Sequence, residues 1–139
     1  MIAALCETII IGNDGRVSVI NVIEQVGTVQ RGPDVPDEMP AFAFPVPFLL
    51  DLVAGEAKGR FAVKLQPTDP AGMELQPTEY PVQFGEGTGY RVRGTLPLEL
   101  AKEGRYWIDV ILVRGRGQDQ AEELLTRLPL TVQYQPQKL

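Results

Sequence analysis

The chain has 139 residues, of which 44% are hydrophobic and 22% charged, with a net charge of −5. That composition describes one globular domain with room for a substantial core and excludes a disordered chain. It contains no histidine, one cysteine (Cys6) and one serine (Ser18), so a Ser-His-Asp triad, a Cys-His pair or a His-ligated metal site cannot be assembled within it.

Residues 2–11 (IAALCETIII) read as a first strand. Gly12-Asn13-Asp14-Gly15 supplies residues that tolerate the positive φ of a tight turn, so residues 16–26 (RVSVINVIEQV) are expected to return as a hairpin. Both segments are apolar on both faces, which places them centrally in a sheet. Leu5-Cys6 has the look of a lipoprotein cleavage site, but no basic region or long apolar stretch precedes it, and a lipoprotein signal is not expected.

Residues 27–40 read as a polar loop, carrying Pro33, Pro36 and Pro40. In residues 41–53, Phe42, Phe44, Val46 and Phe48 share one parity while Pro45 and Pro47 share the other. Proline lacks a ladder donor, so this strand is expected at an edge or bulged. Residues 59–66 and 90–96 alternate cleanly, with Phe61, Val63, Leu65, Tyr90, Val92 and Leu96 expected inward. A turn at 67–72 and a short strand at 79–84 lie between them. Residues 105–114 (RYWIDVILVR) and 128–134 (LPLTVQY) read as late core strands. Residues 118–127 are compatible with a single helical turn or a hairpin arm, and residues 136–139 with a frayed tail.

Short strands at roughly ten-residue intervals with almost no helix predict an all-β chain. The expected form is an antiparallel β-sandwich of seven or eight strands, immunoglobulin-like with Greek-key connections, and at most one short helical turn. One domain is expected over residues 1–135. The run Glu103-Gly104-x-Tyr106-x-Ile108-x-Val110 is of the kind that brings a late strand into an immunoglobulin-like core.

Taken in order, LCETIIIGNDGRVSVINVIEQV (5–26), Pro40-Ala-Phe42, Phe61-x-Val63-x-Leu65 ahead of Asp69-Pro-Ala-Gly72, and Gly104-x-Tyr106-x-Ile108-x-Val110 resemble a family of small uncharacterised bacterial β-sandwich proteins, a domain of unknown function. The chain departs from that pattern at Asn21-Val22, where a small residue such as glycine is expected. The resemblance implies a fold and assigns no activity or catalytic residue.

Two side-chain clusters are candidate surfaces. Asp34, Asp37 and Glu38 share the proline-rich loop; their spacing fits no calcium loop, and they read as a solvated acidic surface. Arg60, Lys64, Arg91 and Arg93 all lie on the outward side of alternating strands and would make one basic face if those strands share a sheet. Asp109 interrupts an apolar strand beside Trp107, either as half of a carboxylate pair or as the partner of an arginine on the next strand. Gly85-x-Gly87-x-Gly89 lacks the spacing of a nucleotide loop. Cys6 reads as a buried thiol.

These features point to a non-enzymatic binding module that recognises another protein, or a second copy of itself, through a sheet edge (residues 41–50) or end loops (28–40 and 66–78). No cofactor, metal or catalytic residue is expected, nor nucleic-acid or membrane binding, and the expected location is cytoplasmic. Two alternatives are a carbohydrate- or small-ligand-binding sandwich using Trp107 or Tyr80, and a carboxylate-based hydrolase.

Overall fold

The computed structural model describes residues 2–53, 59–85, 89–115 and 120–138. These form nine strands and no helix. The strands are β1 (Ile2–Ile11), β2 (Val17–Val22), β3 (Gln25–Gly32), β4 (Phe42–Val53), β5 (Gly59–Thr68), β6 (Thr78–Phe84), β7 (Gly89–Leu100), β8 (Gly104–Arg114) and β9 (Ala121–Lys138). They make two sheets, one of four strands in the order β2-β1-β4-β7 and one of five in the order β3-β9-β8-β5-β6.

Alternation along the strands places the core between these sheets. Val46, Phe48, Leu50 and Leu52 of β4 and Val92, Leu96, Leu98 and Leu100 of β7 form one wall. Val63 and Leu65 of β5, Tyr106, Ile108 and Val110 of β8, and Leu130 and Val132 of β9 form the other. Full burial of each such side chain contributes about 1.5–3 kcal/mol. Gly94 stands opposite Phe48 in the β4–β7 ladder. A Cβ there would come within 3.2 Å of the Phe48 ring, so the glycine makes room for that ring to meet Tyr80 edge-on at 5.2 Å.

Several expectations are corrected. There are nine strands among the described residues rather than seven or eight. The returning strand breaks at Ile23-Glu24, and residues expected to begin a polar loop instead form β3. Val26, Thr28 and Gln30 are half-buried in alternation with exposed neighbours, a half-covered strand that its two glycines and polar residues conceal in the sequence. The sheets are not wholly antiparallel, because β3 pairs parallel to β9 from Gln25↔Thr131 to Gly32↔Lys138. That ladder incorporates residues 136–138, so the expected frayed tail is paired; Leu139 lies outside the described residues.

No helical turn forms at 121–127. These residues open β9 against β8, with Leu125 as an extra residue where the register shifts between Val110↔Thr126 and Ile111↔Leu124. Residues 118 and 119 lie outside the described residues, as does Gly87 of the glycine-rich loop. Nor are β1 and β2 both central, for β2 is an outer strand.

Polar groups at the sheet ends are tied internally. Buried Gln66 donates from Nε2 to the carbonyls of Pro67 (2.9 Å) and Leu75 (2.7 Å). Asp69 Oδ1 accepts from the N–H groups of Ala71 and Met73, both at 2.9 Å, and Oδ2 faces Lys102 Nζ at 3.3 Å. The Met73 N–H, followed by Lys102 and the Ala71 N–H, holds the Asp69 carboxyl below its ordinary value of 3.8, against the burial that pushes it up. The loop at 66–78 is therefore a knotted turn rather than a loose one.

Two outcomes follow. Ile108→Ala, at a fully buried site, should lower unfolding stability by about 2–5 kcal/mol in chemical denaturation. Asp69 has a lower pKa folded than unfolded, so its contribution is present above 3.8 and lost as pH falls through the folded value. Asp69→Asn should therefore melt below the parent at neutral pH, and in thermal scans the gap should narrow progressively as pH falls from 3.8 through the lower folded value. A gap independent of pH would assign the loss to the turn's geometry alone.

Candidate functional site

The feature that the main core does not explain is the β1–β2 ribbon. Its origin is a ladder that stops. β1 pairs with β4 from Ile2↔Asp51 to Leu5↔Phe48 and no further. The next partners along β4 are Pro47 and Pro45. Pro45 faces Pro97 across the β4–β7 ladder. A pair with no N–H on either member is a non-hydrogen-bonded pair, so the backbone of Pro45, and by parity of Pro47, points toward the β1 side. The rungs that would extend the β1–β4 ladder thus lack their donors. Only a Cys6 Sγ contact to the Pro47 carbonyl, at 3.9 Å, continues it.

Freed from β4, residues 6–11 pair with β2 alone, from Cys6↔Val22 to Ile11↔Val17. The tip is closed by Gly15 N–H donating to the Gly12 carbonyl (3.0 Å) and Gly12 N–H donating to the Arg16 carbonyl (2.8 Å). Gly15 has a φ of 80°, the left-handed conformation for which glycine is suited, and Asp14 Oδ1 accepts from Arg16 N–H at 3.0 Å. At the base, Ile23 N–H donates to the Leu5 carbonyl at 2.7 Å, and Thr131 N–H of β9 donates to the Glu24 carbonyl at 2.9 Å. The chain changes sheets between these two bonds. Just before them, inside β2, Asn21 has a φ of 54°, and its Nδ2 donates to Glu7 Oε2 at 2.8 Å. Asparagine here takes the backbone conformation that glycine would supply.

The ribbon doubles back. Arg91 Nη1 of β7 donates to the Gly15 carbonyl at the tip, at 3.3 Å, while Arg91 Nη2 lies 3.6 Å from Asp51 of β4. β4 stands between β1 and β7. The tip therefore crosses the side of this sheet that faces away from the main core, where Leu49 is only 3% exposed although its neighbours Phe48 and Leu50 point into the core. Cys6 is also buried, and burial pushes its thiol pKa up, the reverse of what a reactive thiolate needs. Along the ribbon, Ile9, Val17 and Val19 are half-buried. Ile10, Ile20 and Val22 are 50%, 40% and 60% exposed.

The outer strand of this ribbon differs from the other outer strands among the described residues. β7 carries Arg91, Arg93, Pro97 and Glu99; β6 carries Glu79 and Pro81; β3 carries Arg31 and two glycines. Charges and prolines on edges discourage pairing with another chain. β2, Val17-Ser-Val-Ile-Asn-Val22, has no charge, no proline and no glycine.

The residues singled out in the sequence fall elsewhere. Asp34, Asp37 and Glu38 lie exposed on the loop at 33–41, which Val35 and Met39 anchor by burial and the Tyr134 hydroxyl holds by donating to the Pro36 carbonyl at 2.7 Å. Asp37 pairs with Lys138 at 2.6 Å, an interaction that lowers the acid's pKa and raises the amine's. Arg60 and Lys64 lie on β5 and Arg91 and Arg93 on β7, in different sheets, so no single basic face forms. Lys64 is paired with Glu122 at 2.6 Å. Asp109 takes the arginine-paired position, with Arg127 Nε donating to it at 2.7 Å. The guanidinium carbons of Arg105 and Arg127 lie 5.5 and 5.7 Å from the Trp107 ring centroid, leaving that ring flanked by cations rather than presented as an open platform. The edge expected at 41–50 is only half an edge: Phe48, Leu49 and Leu50 are paired on both sides, and the proline-bearing half is not. Sequence reasoning missed β2 as an outer strand. The signals were the uncharged run at 17–22 and the shared parity of Pro45 and Pro47.

Comparison with protein-family models, curated proteins and solved structures finds no match.

If Arg91 holds the ribbon against the sheet, Arg91→Ala should speed amide exchange across Ile9–Ile11 and Val17–Ile20 about two- to fivefold, as expected for loss of an exposed charged contact. Exchange in β8 should not change. Equal exchange in parent and variant would show that the tip contact does not restrain the ribbon.

Proposed function

We propose that this chain is a non-enzymatic binding module, an immunoglobulin-like β-sandwich that recognises a protein through a sheet edge, and that the edge is β2. The observation that carries the proposal is the uncharged, proline-free outer strand Val17–Val22, with its own Ile20 and Val22 exposed and Ile10 exposed on the neighbouring β1. A partner strand laid along it would gain main-chain hydrogen bonds and cover apolar side chains, the energetics of strand addition.

The sandwich reading is supported by the two facing sheets and by the sheet-switching first segment whose later part, β3, runs parallel to the last strand, β9. It is further supported by Tyr106 at the start of β8, whose hydroxyl donates to the Lys102 carbonyl at 2.9 Å and accepts from the Lys102 N–H at 3.1 Å. A tyrosine entering a late strand and bonding back to the preceding turn is a recurrent device of immunoglobulin-like domains. The same reading accords with the resemblance to small bacterial β-sandwich proteins. The proposed location is cytoplasmic, on the ground that the one cysteine is buried and unpaired. No helix of the described residues is long and apolar enough to cross a membrane. Nucleic acid is disfavoured as a partner by the net charge of −5 and by the split of the arginines between two sheets.

A photo-crosslinking residue placed at Ser18 on β2, and separately at Gln83 on β6 and Glu99 on β7, tests this in the native cell. Protein adducts should form from position 18 at least about tenfold above the other two, the ratio expected of a specific contact. Equal adducts from all three positions, or none from position 18, would refute the edge assignment.

A further inference from the structure

Leu49 and Cys6 are both buried, yet neither belongs to the cluster of side chains between the sheets. Leu49 sits in mid-sheet, with Ala4 of β1 on one side and Arg93 of β7 on the other, and it points away from the core. Cys6 begins the ribbon where β1 leaves β4. The described element that crosses this side of the sheet is the ribbon, whose tip reaches Arg91. Its Ile9, Val17 and Val19, on one face of the two strands, are half-buried without packing on the main core.

This cover is lightly attached. Its register is unbroken from Cys6↔Val22 to Ile11↔Val17, so its backbone bonds are internal and travel with it. Among the described residues, two side-chain contacts tie it to the body. At the tip, Arg91 Nη1 donates to the Gly15 carbonyl at 3.3 Å, and Asp51 steadies the same guanidinium at 3.6 Å. At the base, Cys6 Sγ lies 3.9 Å from the Pro47 carbonyl, and a thiol is a weak donor. Both strands change character at that base. Leu5 is the last residue of β1 paired with β4, and Asn21 interrupts β2 with its φ of 54°. Just below, Ile23 N–H donates to the Leu5 carbonyl at 2.7 Å and fixes the return to the body. A swing of the ribbon about this line breaks no rung of either ladder.

We infer that residues 6–22 form a hinged strap, closed over the outward face of β4 by Arg91, which opens as one piece while the two sheets stay folded and so uncovers Leu49 and Cys6. The strap does not depend on whether β2 takes a partner. Its opening gives up one exposed charged contact and a small apolar area, whereas opening the sheets gives up the whole core.

Cys6 is the only cysteine in the chain, so its rate of reaction with dithionitrobenzoate times the opening. It stands in the rung at the base of the ribbon while Arg91 holds the tip, so a strap that moves whole carries a change at Arg91 to the thiol. Arg91→Ala should speed labelling about two- to fivefold, the range for loss of an exposed charged contact. Arg93→Ala should leave it unchanged, because that side chain lies on the same face of β7 and makes no hydrogen bond or ion pair among the described residues. Ile108→Ala, which weakens the body, should also leave it unchanged under conditions where the variant is folded. In the parent, urea should accelerate labelling less steeply than it drives unfolding, since the strap exposes little surface. Labelling that accelerates in Ile108→Ala in proportion to its lost stability, or that follows the full urea dependence of unfolding, would overturn the inference. So would equal rates in the parent and Arg91→Ala, or a parent thiol that reacts as fast as in the unfolded chain.

Discussion

Two missing N–H groups organise this end of the molecule. Pro45 and Pro47 occupy β4, which must pair with β7 along its whole length to build the core. Both prolines direct their donor-less backbone to the other side, where β1 would lie. The β4–β7 ladder is therefore intact and the β1–β4 ladder is cut at Phe48. A chain leaving a ladder with unpaired donors and acceptors must find another partner, and β1 finds it in its own continuation, β2. The ribbon, the return at Asn21 and the passage of the chain to the far sheet as β3 all descend from that interruption.

The body and the ribbon are held by different physics. Between the sheets, closely packed aliphatic side chains and the Phe48–Tyr80 contact are almost wholly removed from water. At the margins, polar groups are bonded in place by Tyr106 to Lys102, Tyr134 to Pro36, Gln66 to its own turn and Asp69 to Ala71 and Met73. Tyr134 N–H also donates to Glu103 Oε1 at 2.6 Å, fixing the last strand to the turn before β8. The ribbon has none of this density. Its outer face is exposed, its tip rests on one arginine, and its local opening costs less than opening the body.

Much of the body was legible in the sequence because alternation is a strong signal where one face is buried. Val63, Leu65, Ile108, Val110, Leu130 and Val132 fall inward as their parity requires. The Asn-Asp-Gly turn was equally plain. What failed was pairing. β3 is half-covered and polar, and its parallel partner lies a hundred residues on, so no local pattern announces it. The opening of β9 resembles a helix in composition, since Glu, Leu and Gln favour helices, and tertiary pairing with β8 overrides that preference. The arginines were grouped by parity, which assigns a face but not a sheet. The prolines were read correctly as marks of an edge, but their strand is an edge along only half its length.

The acidic loop, the outward basic residues and Asp109 are conspicuous for their charge, yet Asp37, Lys64, Arg91 and Asp109 are each engaged with a neighbour of opposite sign. Such exposed pairs contribute little stability and blunt the surface against nonspecific partners. The informative position is the one where charge is missing. An outer strand without lysine, proline or glycine is an aggregation hazard, and the rest of this chain avoids that hazard at its other edges. On β2 the uncharged run is bounded instead by Arg16 before it and by Asn21, whose φ of 54° interrupts the extended backbone near its end. The extended, uncharged backbone therefore runs only from Val17 to Ile20, which limits how long a strand could be laid along it.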